Sequence, residues 1–263
     1  MADAVDSVRL LHLTDLHLRW HQPGSAKQPE RLSREMPAVL ERLGARLAEF
    51  EPDVLVVTGD LLDVPDEVID GSLDDEAALL EAADAAEADY RIMRDWFVGT
   101  GLPYVVIPGN HDLDEAFRRV FPEAQPVADI AGLRFVCFHD DLDETRTPQR
   151  RGESRALFDA VLSEPGHDRP QVHLQHYMVE PPTYTRWPYD YEGSRAMAAA
   201  IEGSGRVRTV LSGHYHPGSL FMGAGGVCYS VVPAFCSAPH PVRLMDIRQD
   251  GGVQVFDASV DGE

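Results

Sequence analysis

Hydrophobic positions along the chain follow two alternating rhythms. Short β-branched runs predict strands at Val8–Leu13, Asp53–Val57, Tyr104–Ile107, Leu133–Phe138, Val172–Gln175 and Val207–Leu211. Between the first two, Ser33–Phe50 spaces Met36, Leu40, Leu43, Leu47 and Phe50 by three or four, which makes one apolar helix face. Pro52 then closes the helix. The Asp53–Val57 run is almost continuously apolar, as expected of a strand buried on both faces. Beyond residue 217 the rhythm changes. Ser219–Met222, Val227–Val232, Val242–Arg248 and Val253–Asp257 succeed one another across Gly- and Pro-rich turns, which predicts antiparallel strands. An α/β first part leading into a β-rich part over 218–258 predicts two packed sheets with helices outside, in a single domain over 1–263.

One stretch departs from this pattern. Asp66–Asp89 carries ten acidic residues and no basic one, interleaved with Ala and Leu. With Leu79, Leu80, Ala83, Met93, Trp96 and Phe97 it predicts a long helical insertion around 66–97 with one buried face. Glu87 and Arg91 are spaced to pair along it. Its acids read as a solvated face.

Composition narrows the function classes. The chain has 263 residues with 23 basic and 44 acidic side chains, a net charge of −21. That charge opposes nucleic acid polymers and anionic membranes, yet a bound cation can reverse the local field for a small anionic substrate. Lys27 is the only lysine, a bias that reads as genome composition. Cys137, Cys228 and Cys236 form no CxxC pair, and an odd count fits reduced thiols in a cytoplasmic protein. Asp3 and Asp6 stand where a signal peptide would carry positive charge, and no apolar run reaches membrane-span length.

The candidate chemistry lies just past the C-terminal ends of the predicted strands, where open α/β sheets bind ligands. In order come Thr14-Asp15-Leu16-His17, Thr58-Gly59-Asp60, Pro108-Gly109-Asn110-His111-Asp112, His176, and Ser212-Gly213-His214-Tyr215-His216. Asp15 and His17, two apart, can reach one cation from one side. His214 and His216 share that spacing and can turn to different cations. Asp60 has two carboxylate oxygens to bridge metals about 3.5–4 Å apart. Asn110 offers a neutral oxygen. Mixed imidazole and carboxylate donors suit Mn, Fe or Zn. Gly59, Gly109 and Gly213 precede these residues where tight turns or close backbone approach are expected.

The ordered set DLH, GD, GNHD, a lone His and GHYH resembles the calcineurin-like metallophosphoesterase superfamily over about residues 8 to 217. The resemblance implies a metallo-dependent phosphatase fold, an α/β four-layer α/β/β/α sandwich with two mixed β-sheets; the C-terminal strands suit its second sheet. It implies two divalent or mixed-valence metal ions. Asp15, His17 and His216 would hold one, Asn110, His176 and His214 the other, with Asp60 bridging. His111 would protonate the leaving oxygen while Asp112 orients its ring. A bridging water with a lowered pKa would supply a hydroxide for in-line attack on phosphorus. Helix capping is the alternative role for Asp112.

The motif set is most similar to bacterial class III cyclic nucleotide phosphodiesterases. That implies a small phosphodiester such as a 3′,5′-cyclic nucleotide, with phosphomonoesterase action on a nucleotide or sugar phosphate as the alternative. A non-catalytic interaction module is disfavoured, because every ligand position and the general acid are present. Two departures stand out. His176 is flanked by Gln175 and Tyr177 where many relatives carry adjacent histidines, and no tyrosine follows Asp60, unlike the purple acid phosphatases. Tyr177–Tyr191 brings Tyr177, Tyr184, Trp187, Tyr189, Tyr191 and Arg186 directly after His176, so Tyr177, Tyr184 and Arg186 are candidate substrate contacts. A Pro-rich loop packing its own aromatics would read the same way. His173 is expected to point into the sheet. The oligomeric state is left open, a homodimer included.

Overall fold

The computed structural model describes residues 7–23, 26, 28–182, 191–248 and 250–262. In chain order the elements are β1 (Ser7–Leu13), α1 (Met36–Phe50), β2 (Val54–Thr58), α2 (Asp66–Ile69), α3 (Glu76–Thr100), β3 (Tyr104–Ile107) and α4 (Asp114–Val120). There follow β4 (Val127–Ile130), β5 (Leu133–Cys137), the short pair β6 (Asp141–Leu142) and β7 (Pro148–Gln149), α5 (Gly152–Ser163), β8 (Gln171–Leu174), α6 (Ser194–Ser204) and β9 (Val207–Ser212). The chain closes with β10 (Ser219–Met222), β11 (Cys228–Val231), β12 (Pro241–Arg248) and β13 (Val253–Ser259).

Two large mixed sheets organise the chain, in the strand orders β13-β12-β1-β2-β3 and β10-β11-β9-β8-β5-β4. β1, β2 and β3 run parallel, as do β5, β8, β9 and β11. Every residue of β2 is buried, as its unbroken apolar run requires. The C-terminal strands do not form one antiparallel set in the second sheet. β11 is parallel to β9, while β12 crosses to the first sheet and pairs antiparallel with β1. β1 already has β2 on one side, and pairing with β12 satisfies the hydrogen-bonding groups on its other side.

Three apolar clusters hold the layers together. Leu40, Leu43, Tyr90 and Phe97 of α1 and α3 pack on Leu11, Leu13, Leu55 and Val57 of the first sheet. Leu10, Val54 and Val56 meet Phe135, Val172 and Leu174 between the sheets. Phe158, Val161, Met197 and Ile201 of α5 and α6 cover Val136, Val207 and Val210. Alternate residues of each strand thus serve opposite faces.

Met93 and Phe97 of α3 are buried as expected, but nearer its N-terminus a different face turns inward. Ala82, Ala86, Asp89, Tyr90, Met93 and Phe97 point inward, whereas Leu80 is 64% exposed. Small alanines let the helix approach closely where leucines would hold it away. Asp75 caps its N-terminus through Ala77 N and Ala78 N, and Glu87 pairs with Arg91 as the spacing requires. Among the described residues no helix is long and apolar enough to cross a membrane, and all three cysteines are free.

Candidate metal centre

The parallel strands deliver their C-terminal loops to one end of the sheets. Asp15 and His17 follow β1, Asp60 follows β2, Asn110 follows β3, His176 follows β8, and His214 and His216 follow β9. Four of these side chains project from left-handed backbone: Asp15, His17, Asp60 and His214 have φ of 53°, 47°, 49° and 64°. Such residues cost of order 1–3 kcal/mol each and persist only where their surroundings hold them. The holding contacts are explicit. Asp15 N donates to Gly59 O at 3.1 Å and His17 N to Asp60 O at 2.9 Å, while His214 N donates to Asp15 Oδ2 at 3.0 Å. Gly109 sits against Asp60, where a Cβ would overlap Oδ1 and N of Asp60.

Ligand atoms gather in three overlapping groups: Asp15, His17 and His216; Asp60, His176 and His214; and His17, Asp60 and His111. Within each, the atoms lie within 4.8 Å of one another. In the first group His17 Nε2 faces His216 Nε2 at 3.3 Å, and His216 Nε2 lies 3.4 Å from Asp15 Oδ1. Around the second, His176 Nε2 and His214 Nδ1 each stand 3.0 Å from Asn110 Oδ1. Asp60 spans both, with Oδ2 3.6 Å from His17 Nε2 and Oδ1 3.4 Å from His176 Nε2.

This donor set fits two cations. His176 Nδ1–H donates to Thr58 O at 2.8 Å, which leaves Nε2 to present a lone pair towards Asn110 Oδ1. Two lone-pair atoms at 3.0 Å need a proton or a cation between them. The same holds for His17 Nε2 and His216 Nε2, and buried Asp15 Oδ1 has no hydrogen-bond partner among the described residues. Protons fill the role when no cation does. Burial alone would lower the pKa of His176, but Asp60 and the Thr58 carbonyl overcome it and raise it to about 9. Burial likewise opposes the Asp60 carboxylate, and the imidazoles of His176, His111 and His17 outweigh that and hold its pKa well below the usual range. Burial holds His17 neutral, its pKa well below the ordinary value.

His111 lies beside the ligands without joining the Asn110 group. Its amide donates to Asp60 Oδ1 at 2.8 Å, its ring meets His17 edge-on at 4.9 Å, and its side chain is 19% exposed. Asp112 does not orient it. Both Asp112 oxygens are taken by Gly109 N at 2.7 Å, Leu61 N at 3.1 Å, Leu62 N at 3.0 Å and Tyr90 OH at 2.9 Å. Nor does Asp112 cap α4, whose N-cap is Leu113 with no side-chain cap. It is a buried clamp on the loops carrying Asp60 and Asn110, with its pKa raised first by burial and then by the charge of Asp60. The carboxylate that faces His111 is Asp63, with Oδ1 3.9 Å from His111 Nδ1 and 3.7 Å from His17 Nδ1. Asp63 is itself paired with Arg19 at 2.9 Å and Arg31 at 2.8 Å. The spacing Gly59-Asp60-Leu61-Leu62-Asp63 was the signal available for it.

The acidic helix contributes two further supports. Tyr90 OH, donating to Asp112, accepts from Leu113 N at 3.0 Å. Buried Asp89 accepts from Trp20 N and His21 N and pairs with His21 Nδ1, pinning the chain beyond the first motif. Tyr177 is buried, its ring edge-on to His176 and His214 at 5.1 and 5.3 Å. Tyr184, Trp187, Tyr189 and Arg186 lie outside the described residues, and Tyr191 is buried. His173 points into the fold and meets Gln171 Oε1 at 2.9 Å. A cavity of about 330 Å³, lined by Asn110, His176, Tyr177, Phe138 and His139 among others, opens beside the second group.

No curated protein sequence matches this chain. Among solved structures, a dimetal phosphatase from Danio rerio, LOC 393393, aligns with a TM-score of 0.68 and 10% identity over 96% of this chain and 99% of that one. The protein TT1561 of Thermus thermophilus aligns at 0.56 with 14% identity, covering 97% and 99%. GAP50, the anchor in the inner membrane complex of Plasmodium, aligns at 0.54 with 8% identity, covering 97% and 85%. At such identities these likenesses establish the fold, and a fold hosts more than one function. The family model for calcineurin-like phosphoesterases matches residues 8–218, from β1 to just beyond His216. The ligand loops all fall inside that span, and the chain belongs to the calcineurin-like phosphoesterase family.

Proposed function

We propose that this protein is a dinuclear metal-dependent hydrolase of a small phosphodiester. The observation that carries the reading is the position of His111, whose imidazole lies within 4.8 Å of an Asp60 carboxylate oxygen, faces Asp63 at 3.9 Å and is partly open to solvent. A non-catalytic module needs no such group. Two cations held by Asp15, His17, Asp60, Asn110, His176, His214 and His216 would polarise the phosphoryl oxygens and lower the pKa of a water beside them. His111 would then give its proton to the departing alkoxide, its ring facing Asp63 on the side of Nδ1. Arg19 and Arg31 hold Asp63 in place.

The motif set favours a diester over a monoester, and charge does not decide between them. Asp63 is offset by Arg19 and Arg31, Asp140 by Arg150 and Asp114 by His139, and the two cations would offset Asp15 and Asp60. Within the class, a 3′,5′-cyclic nucleotide is the natural compound to try, on the strength of the motif set. Reduced thiols are in keeping with a cytoplasmic protein, and the donor set with Mn, Fe or Zn.

The test is hydrolysis of bis(p-nitrophenyl) phosphate against p-nitrophenyl phosphate by metal-stripped protein titrated with Mn²⁺. A Mn-dependent preference for the diester is expected. Preference for the monoester transfers the assignment to nucleotide or sugar phosphates, and inactivity on both with two metals bound ends the hydrolase reading.

A further inference from the structure

A second cavity, of about 430 Å³, lies where β3 at the edge of the first sheet faces β5 of the second. Its walls are mostly apolar and come from separate elements: Val106 and Ile107 from β3, Phe117 from α4, Cys137 from β5, Phe138 just beyond it, and Leu157 from α5. This cavity and the one beside Asn110 and His176 share Pro108, Phe138 and His139 as lining. The two therefore adjoin. At the junction, His139 Nε2 is fixed by Asp114 Oδ2 at 3.0 Å and its carbonyl accepts from Ser154 Oγ.

We propose that the apolar cavity is a specificity subsite for an uncharged hydrocarbon or aryl chain carried by one alcohol of the substrate. The inference rests on the phosphodiesterase reading and narrows it. The shared lining places this cavity directly beside the ligand-side one at His139, within reach of a chain attached to phosphorus, and the two differ in character. The ligand side is polar, lined by Asn110, Asp114, Asp140, Asp141 and His176. Beyond His139 the walls offer a hydrocarbon chain contacts that water cannot make, and each buried methylene strengthens binding. Arg118, Gln125, His139, Glu153 and Ser154 form the polar part of that cavity's lining.

Binding of methyl-, butyl- and octylphosphonate to the Mn²⁺-loaded protein, measured by calorimetry, tests this. In the native protein affinity should rise about threefold to fourfold per methylene until the cavity is filled. Leu157→Trp, which narrows the cavity, should flatten that rise and leave methylphosphonate affinity unchanged. Ala124→Leu, also in the lining, should act in the same direction and guards against a folding defect in the first variant. Equal affinity for methyl- and octylphosphonate overturns the inference, as does an undiminished rise in both folded variants. Diester hydrolysis followed in parallel separates the two claims. Turnover without a chain-length effect leaves the phosphodiesterase reading standing and removes the subsite. A chain-length effect without any turnover removes the reading.

Discussion

The two halves of the candidate metal centre share Asp60 but are built differently. Around Asn110 the ligands are pinned before any cation arrives: one amide oxygen faces two imidazoles at 3.0 Å, and the Thr58 carbonyl fixes the ring of His176. Around His17 the ligands rely chiefly on the backbone, a support that His214 shares in the other half. Asp15 and His17 sit on left-handed residues, their ring and carboxylate atoms face one another, and Asp15 Oδ1 and His17 Nδ1 have no hydrogen-bond partner among the described residues. The difference shows two ways to preorganise a site. Side-chain hydrogen bonds orient one half, and loop geometry braced by neighbouring loops orients the other.

The sharpest way to break the comparison is to remove what the halves share. Asp60→Ala should take diester turnover to the background rate and lower the Mn²⁺ stoichiometry, read by metal analysis after dialysis. Near-normal turnover would end the dinuclear proposal. His111→Ala leaves both halves intact, so metal content should stay at the native level while turnover falls roughly 10²–10⁴-fold. The fall should be least for p-nitrophenyl esters, whose leaving group needs little protonation. A uniform loss across leaving groups would remove His111 as the general acid.

A milder change should separate the halves. Tyr90→Phe strips one donor from Asp112, the clamp on the loops of Asp60 and Asn110, without touching a ligand. Its Mn²⁺ affinity should drop about 10–100-fold at one site and little at the other, in a two-site calorimetric titration. Equal weakening of both would show that the clamp serves the whole end of the sheets.

The smallest effect concerns acid. His12 is buried against Thr58 Oγ1, and burial first, with Arg243 second, lowers its pKa to about 3. His173 is lowered to about 3 by burial and Arg150. The unfolded chain takes up these protons below about pH 6.5, and the folded chain does not until about pH 3. Stability is therefore lost as pH falls through that window, by about 2 kcal/mol per histidine at pH 5. Urea melts at pH 7 and pH 5 should show the loss, and His173→Gln should shrink it. An unchanged difference in that variant would assign the acid sensitivity elsewhere.

The candidate ligand residues, which the fold brings together, and most strands were legible because their signals are local. Tyr104–Ile107 and Ser219–Met222 have the bounds their runs imply, and the ligand types follow five strands directly. Less was legible where local rules compete. α5 and α6 drew no prediction, since their apolar residues sit among Arg, Glu and Gly in short stretches. On α3 the expected burial of Met93 and Phe97 holds. In its first half Leu79 and Leu80 were the stronger apolar signal, yet Ala82, Ala86 and Tyr90 form the buried face, because close approach to the first sheet decided which side turned inward.

By itself, then, the chain's sequence determined which atoms can hold cations and in what order the loops present them, since a strand end and a tight turn are specified within a few residues. Tertiary structure decided the partnerships. It set Asp63 rather than Asp112 before His111, sent His214 to Asn110 and His216 to His17, and divided the last four strands between two sheets. These outcomes depend on which distant groups must be satisfied together in a buried space, and no spacing along the chain records that.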